Sequence, residues 1–449
     1  MTPQAAAVRQ PPPYRDGNVL RWLAGFGVSL VGDQVYFVAL AWTAAQVAGA
    51  GGAGLVLATA SVSRLGLLLL GGAVVDRWGA RRLMLGSDAL RCAVMAAAAV
   101  ATAATEPALA VLIVVALVFG AVDAVFLPAV GALPPYLVAA EHLARLQGMR
   151  MALARGAIVA GAPLGGAVVA AAGIAAAFAL NALTFAVSVL ALAAVRLRPG
   201  AETKPTEGAG RAAGMGREVR AGLVVAARSP LLRTTLLVSA VAELGFTGPF
   251  NVGIALLAQE RGWGAAGVGL IVGGFGIGAA TAVVVVSVLG HLPRAGLLVG
   301  PLAVLTGGAL VAVGSAPTRL WAVAASSLLG VSVGLAGTLG TALLQAYTPP
   351  QYLGRVMSLS SLAGFGGIPV SYALTGLVAG LWGPAAAFLG GAALAGTAGL
   401  VALSSPALRR AALAATQRRT DAFSRKEAGR LKSRCHGFVR SRKNCRSKA

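Results

Sequence analysis

Seven ionisable side chains lie inside apolar stretches long enough to cross a lipid bilayer, and any chemistry in the chain is expected to involve them. The first half of the sequence contains six, namely Asp33, Arg64, Asp88, Arg91, Asp123 and Arg155. The second half contains Glu243. A charged side chain in hydrocarbon is costly, so such residues usually face the interior of a helix bundle or a water-filled path. Their carboxylates could exchange a proton, and their guanidinium groups could neutralise an acid.

The residues of the first half admit a structural interpretation. Three acids and three bases could neutralise one another, and Asp88 and Arg91 are three residues apart on one helix face, as packing ion pairs often are. Arg64 and Arg155 are the other ion-pair candidates. On this interpretation the charges hold one helix bundle together.

A functional interpretation is centred on Asp33 and Glu243, with Asp123 as a third candidate. Each could carry a proton that is exchanged as the carboxyl group changes its access to water. Glu243 has no lysine or arginine within the spans of its own half, so it either holds its proton at rest or faces a cavity between the halves. The alternative, a carboxyl group bonded to a neighbouring helix backbone, stays open for Asp33 and Glu243.

Composition identifies the class of protein. The chain has 449 residues, 57% of them hydrophobic and 11% charged, and a mean hydropathy of +0.80, which lies outside the range of soluble domains. Roughly twelve apolar runs could cross about 30 Å of hydrocarbon, the first two near 22–44 and 53–75. The predicted fold is an all-α membrane protein with twelve transmembrane helices in two pseudo-symmetric six-helix bundles.

A repeated segment supports the division into halves. LPPYLVAAEHLARLQGM follows the fourth run and TPPQYLGRVMSLSSL follows the tenth, so a Pro-Pro pair, a Tyr-Leu pair and a downstream arginine recur half a molecule apart. The predicted organisation is a cytoplasmic N-terminal segment (1–21), a first bundle (22–195), a cytoplasmic linker with an interfacial helix (196–233), a second bundle (234–405) and a basic, disordered cytoplasmic tail (406–449).

Basic residues predict how the chain is oriented, because lysine and arginine collect on the cytoplasmic side of a membrane. With both termini in the cytoplasm, Arg261 and Arg319 are the arginines placed outside. The same bias explains most of the net charge of +23, so basicity does not indicate nucleic acid as a partner. The basic connections are expected to contact anionic lipid.

The segment GGAVVDRWGARR, residues 71–82, concentrates four charges in the turn between the second and third runs. It has the spacing G-x-x-x-D-R-x-G-x-R-R, formed by Gly72, Asp76, Arg77, Gly79, Arg81 and Arg82. This spacing resembles the loop signature of the major facilitator superfamily. RWLAGFGVSLVGDQ, FLPAVGALPPYLV and PPQYLGRVMSL further resemble its bacterial drug-efflux branch, which includes macrolide exporters and the enterobactin exporter.

The resemblance implies roles for particular residues. Asp76 would act as a latch that stabilises the outward-open state by contacting the start of the eleventh helix, near Gly354 and Arg355. GAIVAGAPLGGAVVA in the fifth run resembles the antiporter signature, with Ala162 where glycine is usual. The kink of that signature would be formed by Gly161, Pro163 and Gly166.

The predicted function is proton-coupled export of small hydrophobic or amphipathic compounds from a bacterial cell membrane by alternating access. The alternatives are a dedicated siderophore or natural-product exporter and a non-transporting receptor or scaffold. No enzyme, cofactor or metal is expected, because no span has a nucleophile with a base within reach. The expected molecule is a monomer whose partners are substrate, protons and anionic lipid. Candidates for the wall of a central cavity are Gln34, Tyr36, Phe37, Phe246 and Asn251.

Overall fold

The computed structural model describes residues 12–197, 223–289 and 294–413, and of these it describes residues 68–73, 76 and 289 by their backbone alone. Within these ranges the chain is helical and contains no strand. Its helices are α1 (Gly17–Trp78), α2 (Ala80–Ala104), α3 (Leu109–Ala132), α4 (Leu143–Ala193), α5 (Pro230–Gly248), α6 (Ile254–Glu260), α7 (Gly264–Leu289), α8 (Ala295–Gly314), α9 (Arg319–Tyr347), α10 (Leu353–Gly366), α11 (Ile368–Trp382), α12 (Pro384–Ser404) and α13 (Pro406–Arg409).

Ten helical segments of the described chain are long and apolar enough to cross a membrane, and two of them are long enough to cross twice. As a straight rod the 62 residues of α1 would measure about 93 Å, three times the thickness of the hydrocarbon. Both ends of α1 lie beside one segment, since Asn18 donates to the Arg196 carbonyl oxygen at 2.7 Å and Arg81, just after α1, donates to the Ala193 carbonyl oxygen at 2.8 Å. The helix therefore reverses between its ends.

Glycines make the two reversals. Gly49 in α1 has φ +60° and Gly173 in α4 has φ +75°, a left-handed conformation that a residue without a Cβ adopts at little cost. The sequence predicted a connection of several residues between its first two runs, but helix continues on both sides of Gly49. A single residue is enough because glycine can supply the reversal alone.

Twelve spans result in the described chain, and they are numbered here in chain order. Spans 1 and 2 are 17–48 and 50–78, spans 3 and 4 are α2 and α3, and spans 5 and 6 are 143–172 and 174–193. Span 7 is α5 with α6, joined by a π-helical turn at Pro249–Gly253. Spans 8, 9 and 10 are α7, α8 and α9, span 11 is α10 with α11, and span 12 is α12.

The bundle has two distinguishable ends. The end that we call the basic end includes the start of span 1, the turn at Gly79 and the turns Pro134–Tyr136 and Pro350–Tyr352, and it contains most of the described arginines outside the spans. The far end includes Gly49, Gly173 and Gly383, all with positive φ. Spans 1–6 form the N-terminal half and spans 7–12 the C-terminal half, which agrees with the predicted two-bundle fold.

Element boundaries differ from the predicted ones at three places. Span 1 begins at Gly17, where the Asp16 carboxylate accepts a hydrogen bond from the backbone of Asn18 at 2.8 Å. Span 7 begins at Pro230, inside the predicted linker, whose residues 198–222 lie outside the described part of the chain. The predicted tail begins at 406, yet the described residues up to 413 pack on the bundle, with Leu408 fully buried and the Ala412 backbone donating to the Tyr347 hydroxyl at 3.0 Å.

Candidate functional site

Five charged side chains of the N-terminal half come together from four different spans, and four of them form one network. Asp123 of span 4 accepts hydrogen bonds from Arg64 of span 2 and from Arg91 of span 3, the latter at 2.6 Å. Arg91 also lies 4.0 Å from the Asp88 carboxylate. Both Asp88 and Arg91 are 1% exposed, so this part of the network is buried, whereas Arg64 stays partly exposed. The predicted pair of Asp88 and Arg91 exists, but the shorter contact of Arg91 is to Asp123.

Other groups complete the network. The Ser188 hydroxyl of span 6 donates to Asp88 at 2.7 Å. The Arg91 guanidinium lies over the ring of Phe126, with 4.2 Å to the ring centroid, and near Phe185. Because an aromatic face attracts a cation, these rings help to stabilise the guanidinium group of Arg91 at this depth. Asp123 lies between two arginines, and its predicted role as a proton carrier stays a prediction.

Asp33 is the fifth charged residue, and it lies in span 1 close enough for the charges of Arg91, Asp123, Asp88 and Arg64 to act on it. It is half-buried. Neither an ion pair nor a hydrogen bond of its carboxyl group is found among the described residues. Of Asp33, Asp88 and Asp123, Asp33 is therefore the one whose carboxyl group has neither an ion pair nor a hydrogen bond in the described part of the chain.

Glu243 lies in the C-terminal half, in a different setting. Its carboxylate accepts a hydrogen bond from the Thr247 hydroxyl, one turn further along span 7, at 2.7 Å. It lines a cavity of about 120 Å³ between spans 7, 9 and 10, together with Thr235, Ser239 and Thr306. The sequence placed Glu243 in a cavity between the two halves, but this cavity lies within the C-terminal half. A hydroxyl-lined space of this size can hold water beside the carboxyl group.

The halves are closely packed near the far end. A Cβ on Gly54 of span 2 would lie 2.8 Å from the Tyr372 carbonyl oxygen of span 11. A Cβ on Gly166 of span 5 would lie 2.5 Å from the Ala265 carbonyl oxygen of span 8. Side chains at these glycines would push the halves apart, so the absence of a Cβ is what permits the contact.

Towards the basic end the same pairs of spans separate. Gly66 of span 2, Gly148 and Gly156 of span 5 and Gly364 of span 11 have no other chain segment within 4 Å of where a Cβ would lie. Cleft A, of about 340 Å³, opens between spans 2, 4 and 11, and its lining includes Ser61, Arg64, Leu127, Ser361 and Phe365. Cleft B, of about 590 Å³, opens between spans 5, 8 and 10, and its lining includes Arg155, Phe275, Thr338, Thr341 and Gln345.

Only part of the predicted cavity wall faces a cavity. Tyr36 is buried in the core of the N-terminal half, where its ring stacks on Phe119 with centroids 4.3 Å apart. Phe37 packs against the same core, and Gln34 contacts Gly161 where spans 1 and 5 meet. The prediction for Tyr36 is corrected, because its ring fills space between helices of one half, whereas Gln34 and Phe37 stay predictions.

The two C-terminal candidates lie closer to open space. Phe246 lines the Glu243 cavity and stacks on Phe275, a residue of cleft B, with centroids 5.5 Å apart. Asn251 donates to the Thr247 carbonyl oxygen at 2.9 Å and is hydrogen-bonded to the Tyr372 hydroxyl. The ring of Phe246 therefore connects the surroundings of Glu243 with the wall of cleft B.

The predicted kink in span 5 lies on the contact between halves. Pro163 lies within the helix, which continues on both sides of it, and its ring would be 2.7 Å from a Cβ on Gly273 of span 8. Gly161 packs on span 1 and Gly166 packs on span 8. These small residues let span 5 contact its own half and the other half at once.

The predicted latch is described in part. Gly79 ends α1 with φ +82°, and Arg81 bonds to Ala193 as described above. Arg77 and Arg82 are exposed. The side chain of Asp76 and residue Gly72 lie outside the described side chains, so the latch stays a prediction. Span 11 does begin where expected, at Leu353 after the turn Pro350–Tyr352.

Comparison with known families decides the class of this fold. A family model described as the Major Facilitator Superfamily matches residues 22–368. The chain belongs to this superfamily. No curated protein sequence matches the chain.

Solved structures show that this facilitator shares its fold with proteins of very different sequence. It is similar to a D-xylose-proton symporter, with a TM-score of 0.68 and 11% identity over 87% of this chain and 98% of that one. It is also similar to the nucleoside transporter NupG, with a TM-score of 0.66 and 13% identity over 86% and 99% of the two chains. A bacterial homologue of the iron transporter ferroportin gives a TM-score of 0.62 and 16% identity over 86% and 98%.

Membership makes this facilitator a multi-pass membrane transporter of small molecules, in a family whose members are generally not enzymes.

The sequence analysis missed several residues of the candidate site. Ser188, Tyr372 and Gln345 were not singled out, although each is a polar side chain in an apolar run. That rule could have found them, since a polar group within a membrane span needs a partner or a cavity.

Proposed function

We propose that this facilitator exports small hydrophobic or amphipathic compounds in exchange for protons by alternating access. The observation that carries the proposal is that the two halves touch near the far end and separate near the basic end. A rocking motion of one bundle against the other would close clefts A and B and open the far end. The apolar rings of Phe275 and Phe365 on the cleft walls suit a substrate with an apolar body.

The orientation that we propose has the basic end and both termini in the cytoplasm of a bacterial cell. The arginines support it, because basic connections remain on the cytoplasmic side during insertion. The clefts then open towards the cytoplasm, which is the side from which an exporter takes its substrate.

Asp33 and Glu243 are the groups that we propose to carry the exchanged proton. Asp33 has no described partner, and the one described hydrogen bond of the Glu243 carboxyl group comes from a hydroxyl of its own helix. Asp123 stays a third candidate, although its protonation would weaken the ion pairs with Arg64 and Arg91.

The test is proton flux in everted membrane vesicles under an imposed pH gradient, with lipophilic cations, macrolides and siderophores added one at a time. We expect at least one compound to release protons, and Asp33→Asn or Glu243→Gln to abolish the release. Glu106→Gln is the matched control, since Glu106 is an exposed acid near the far end, and it should transport like the unaltered protein.

The same experiment separates the alternatives. A response to a single siderophore and to no other compound would favour a dedicated exporter. If no compound released protons from folded, inserted protein, proton-coupled export would be wrong and a receptor or scaffold role would gain support.

We also propose a monomer that binds anionic phospholipid on the outside of its N-terminal half. An apolar groove of about 640 Å³ runs between spans 3 and 4, with Arg77, Trp78 and Arg82 at its basic end. Acyl chains suit its walls, and the two arginines suit a phosphate group.

A further inference from the structure

Arg155 lies at the point where the two halves begin to separate. One turn further towards the far end, Ile158 and Val159 touch span 8, since both would be within 3.1 Å of a Cβ on Gly276. Two turns towards the basic end, Gly148 has no neighbouring segment within 4 Å of where a Cβ would lie. The Arg155 side chain lines cleft B, opposite residues of spans 8 and 10.

Arg155 differs from Arg64 and Arg91, the other arginines deep within the apolar runs, by its lack of a described counter-charge. Arg64 and Arg91 both bind Asp123. For Arg155 no ion pair is found among the described residues, and its Nε atom is buried without a hydrogen bond. A guanidinium at membrane depth without a partner is costly, so such a group usually serves a ligand or a pathway.

The chemistry of cleft B fits a ligand with an anionic group and an apolar body. Arg155 is the one ionisable residue of its described lining, Thr338, Thr341 and Gln345 offer neutral hydrogen-bonding groups, and Phe275 offers an aromatic surface. Its volume of about 590 Å³ is within the range of small-molecule sites, which is about 300–1,000 Å³.

Cleft A has the same sign of charge. Arg64 is the one ionisable residue of its described lining, and its side chain stays 38% exposed although it binds Asp123. Asp33 and Glu243 belong to the described lining of neither cleft. The open surfaces between the halves therefore present arginine and no carboxylate.

We propose that cleft B binds amphipathic organic anions and that Arg155 is the residue that pairs with their anionic group. A carboxylate, sulfonate or phosphate can accept two parallel hydrogen bonds from one guanidinium, which gives direction as well as attraction. The apolar body of the ligand lies along Phe275. This inference rests on the proposed transport function in one respect, namely that the anion bound in cleft B is the compound that the protein transports.

The test compares two aromatic probes of similar size and opposite charge, naphthalene-2-sulfonate and 2-naphthyltrimethylammonium. Their binding is measured by equilibrium dialysis against the full chain in phosphatidylcholine nanodiscs, after subtraction of empty nanodiscs. Subtraction of the empty nanodiscs removes the unequal uptake of the two probes by the lipid, so the remaining difference reports on the protein. We expect the sulfonate to bind at least about tenfold more tightly, the usual effect of a hydrogen bond to a charged group.

Three variants assign the effect to Arg155. Arg155→Gln should remove the preference for the anion, and Arg155→Lys should keep part of it. Arg145→Gln is the control, because Arg145 is an exposed arginine of the same helix near the basic end, and its preference should equal that of the unaltered chain. Equal binding of the two probes, a preference for the cation, or an Arg155→Gln variant that keeps the preference would overturn the proposal.

Failure of this inference is distinguishable from failure of the proposed function. If lipophilic cations drive proton release while the anion does not bind preferentially, the transporter exchanges protons but the substrate class is wrong. If the anion binds through Arg155 while no compound releases protons, the proposed binding site is supported and the proposed proton coupling is wrong.

Discussion

The N-terminal and C-terminal halves have the same number of spans but hold their buried polar groups in different ways. In the N-terminal half, Arg64, Arg91 and Asp123 connect spans 2, 3 and 4 through charge. In the C-terminal half, neutral hydroxyl groups connect the spans. Ser371 of span 11 accepts a hydrogen bond from the Gly248 backbone at 2.7 Å and donates to the Leu244 carbonyl oxygen at 2.6 Å, both in span 7.

No ion pair connects the described spans of the C-terminal half, so neutral hydrogen bonds and the close approach of its helices hold it together. A Cβ on Gly245 of span 7 would lie 2.6 Å from the Gly391 carbonyl oxygen of span 12. A Cβ on Gly399 of span 12 would lie 2.7 Å from Val304 of span 9. Its stability should therefore depend on packing volume, whereas that of the N-terminal half should depend on complete ion pairs.

The largest effect is expected when Arg91 is neutralised. Arg91→Met leaves Asp88 and Asp123 without their shared cation, and breaking a buried pair costs about 3–5 kcal/mol. The measurement is the apparent midpoint of thermal unfolding in one detergent. The control, Arg355→Met in the C-terminal half, removes an arginine without a described ion pair and should cost less than about 1 kcal/mol. Equal losses of stability in the two variants would contradict the view that ion pairs stabilise the N-terminal half in particular.

Removing a single hydroxyl group is expected to cost less stability. One such substitution in each half compares the halves directly. Ser188→Ala removes a hydrogen bond to the Asp88 carboxylate, and bonds to charged groups contribute about 1.5–3 kcal/mol. Thr306→Val removes a neutral bond to Ser332 of span 10, which is 3.0 Å long and should contribute about 0.5–1.5 kcal/mol. Denaturant or thermal unfolding in the same detergent gives the order of the two. A larger loss for Thr306→Val would refute the contrast between charged and neutral bonding.

Much of this fold follows from the sequence, while the contacts across spans do not. Hydropathy predicts about twelve helical spans in two halves, which the described chain contains. It could not predict that Asp123 binds both Arg64 and Arg91, because nearly every residue of span 4 is apolar and its sequence marks no particular face. Rotation of each helix about its own axis decides such contacts.

The surroundings of the acidic residues within the spans could not be predicted from the sequence either. Asp33, Asp123 and Glu243 are equivalent in the sequence, since each is one acid in an apolar run. Only the positions of neighbouring spans distinguish a carboxylate between two arginines from one with no partner. Glu243 likewise faces spans 9 and 10, which lie more than 50 residues away along the chain.

The contact between the halves gives the third prediction. A disulfide can report it, because a Cβ on Gly380 would be 3.8 Å from that of Ala50, the mean Cβ separation of about 3.8 Å in disulfides. Ala50→Cys combined with Gly380→Cys should cross-link on oxidation, detected after cleavage at a protease site introduced within residues 198–222. Adding Gly54→Ala overfills the contact by about 1–3 kcal/mol, so cross-linking should slow by about tenfold.

Gly66→Ala is the control for that experiment, because it alters the same span where no other segment lies within 4 Å. It should leave the cross-linking rate unchanged. Equal slowing by both substitutions would mean that the alanine changes span 2 itself and that the halves are not held apart by the added methyl group.

The smallest effect is expected at the outer surface, where the two halves again differ. Arg82 stands at the groove between spans 3 and 4, beside Trp78, which is 60% exposed. An arginine near a membrane surface contributes about 1 kcal/mol to attraction for anionic lipid, so Arg82→Gln should retain several-fold less phosphatidylglycerol through purification, as measured by mass spectrometry of the bound lipid. Arg294→Gln changes an exposed arginine before span 9, at the corresponding connection of the C-terminal half. Because a free basic charge is present at both places, equal losses would show that charge alone retains the lipid, whereas a loss confined to Arg82→Gln requires the acyl chains to lie in the groove.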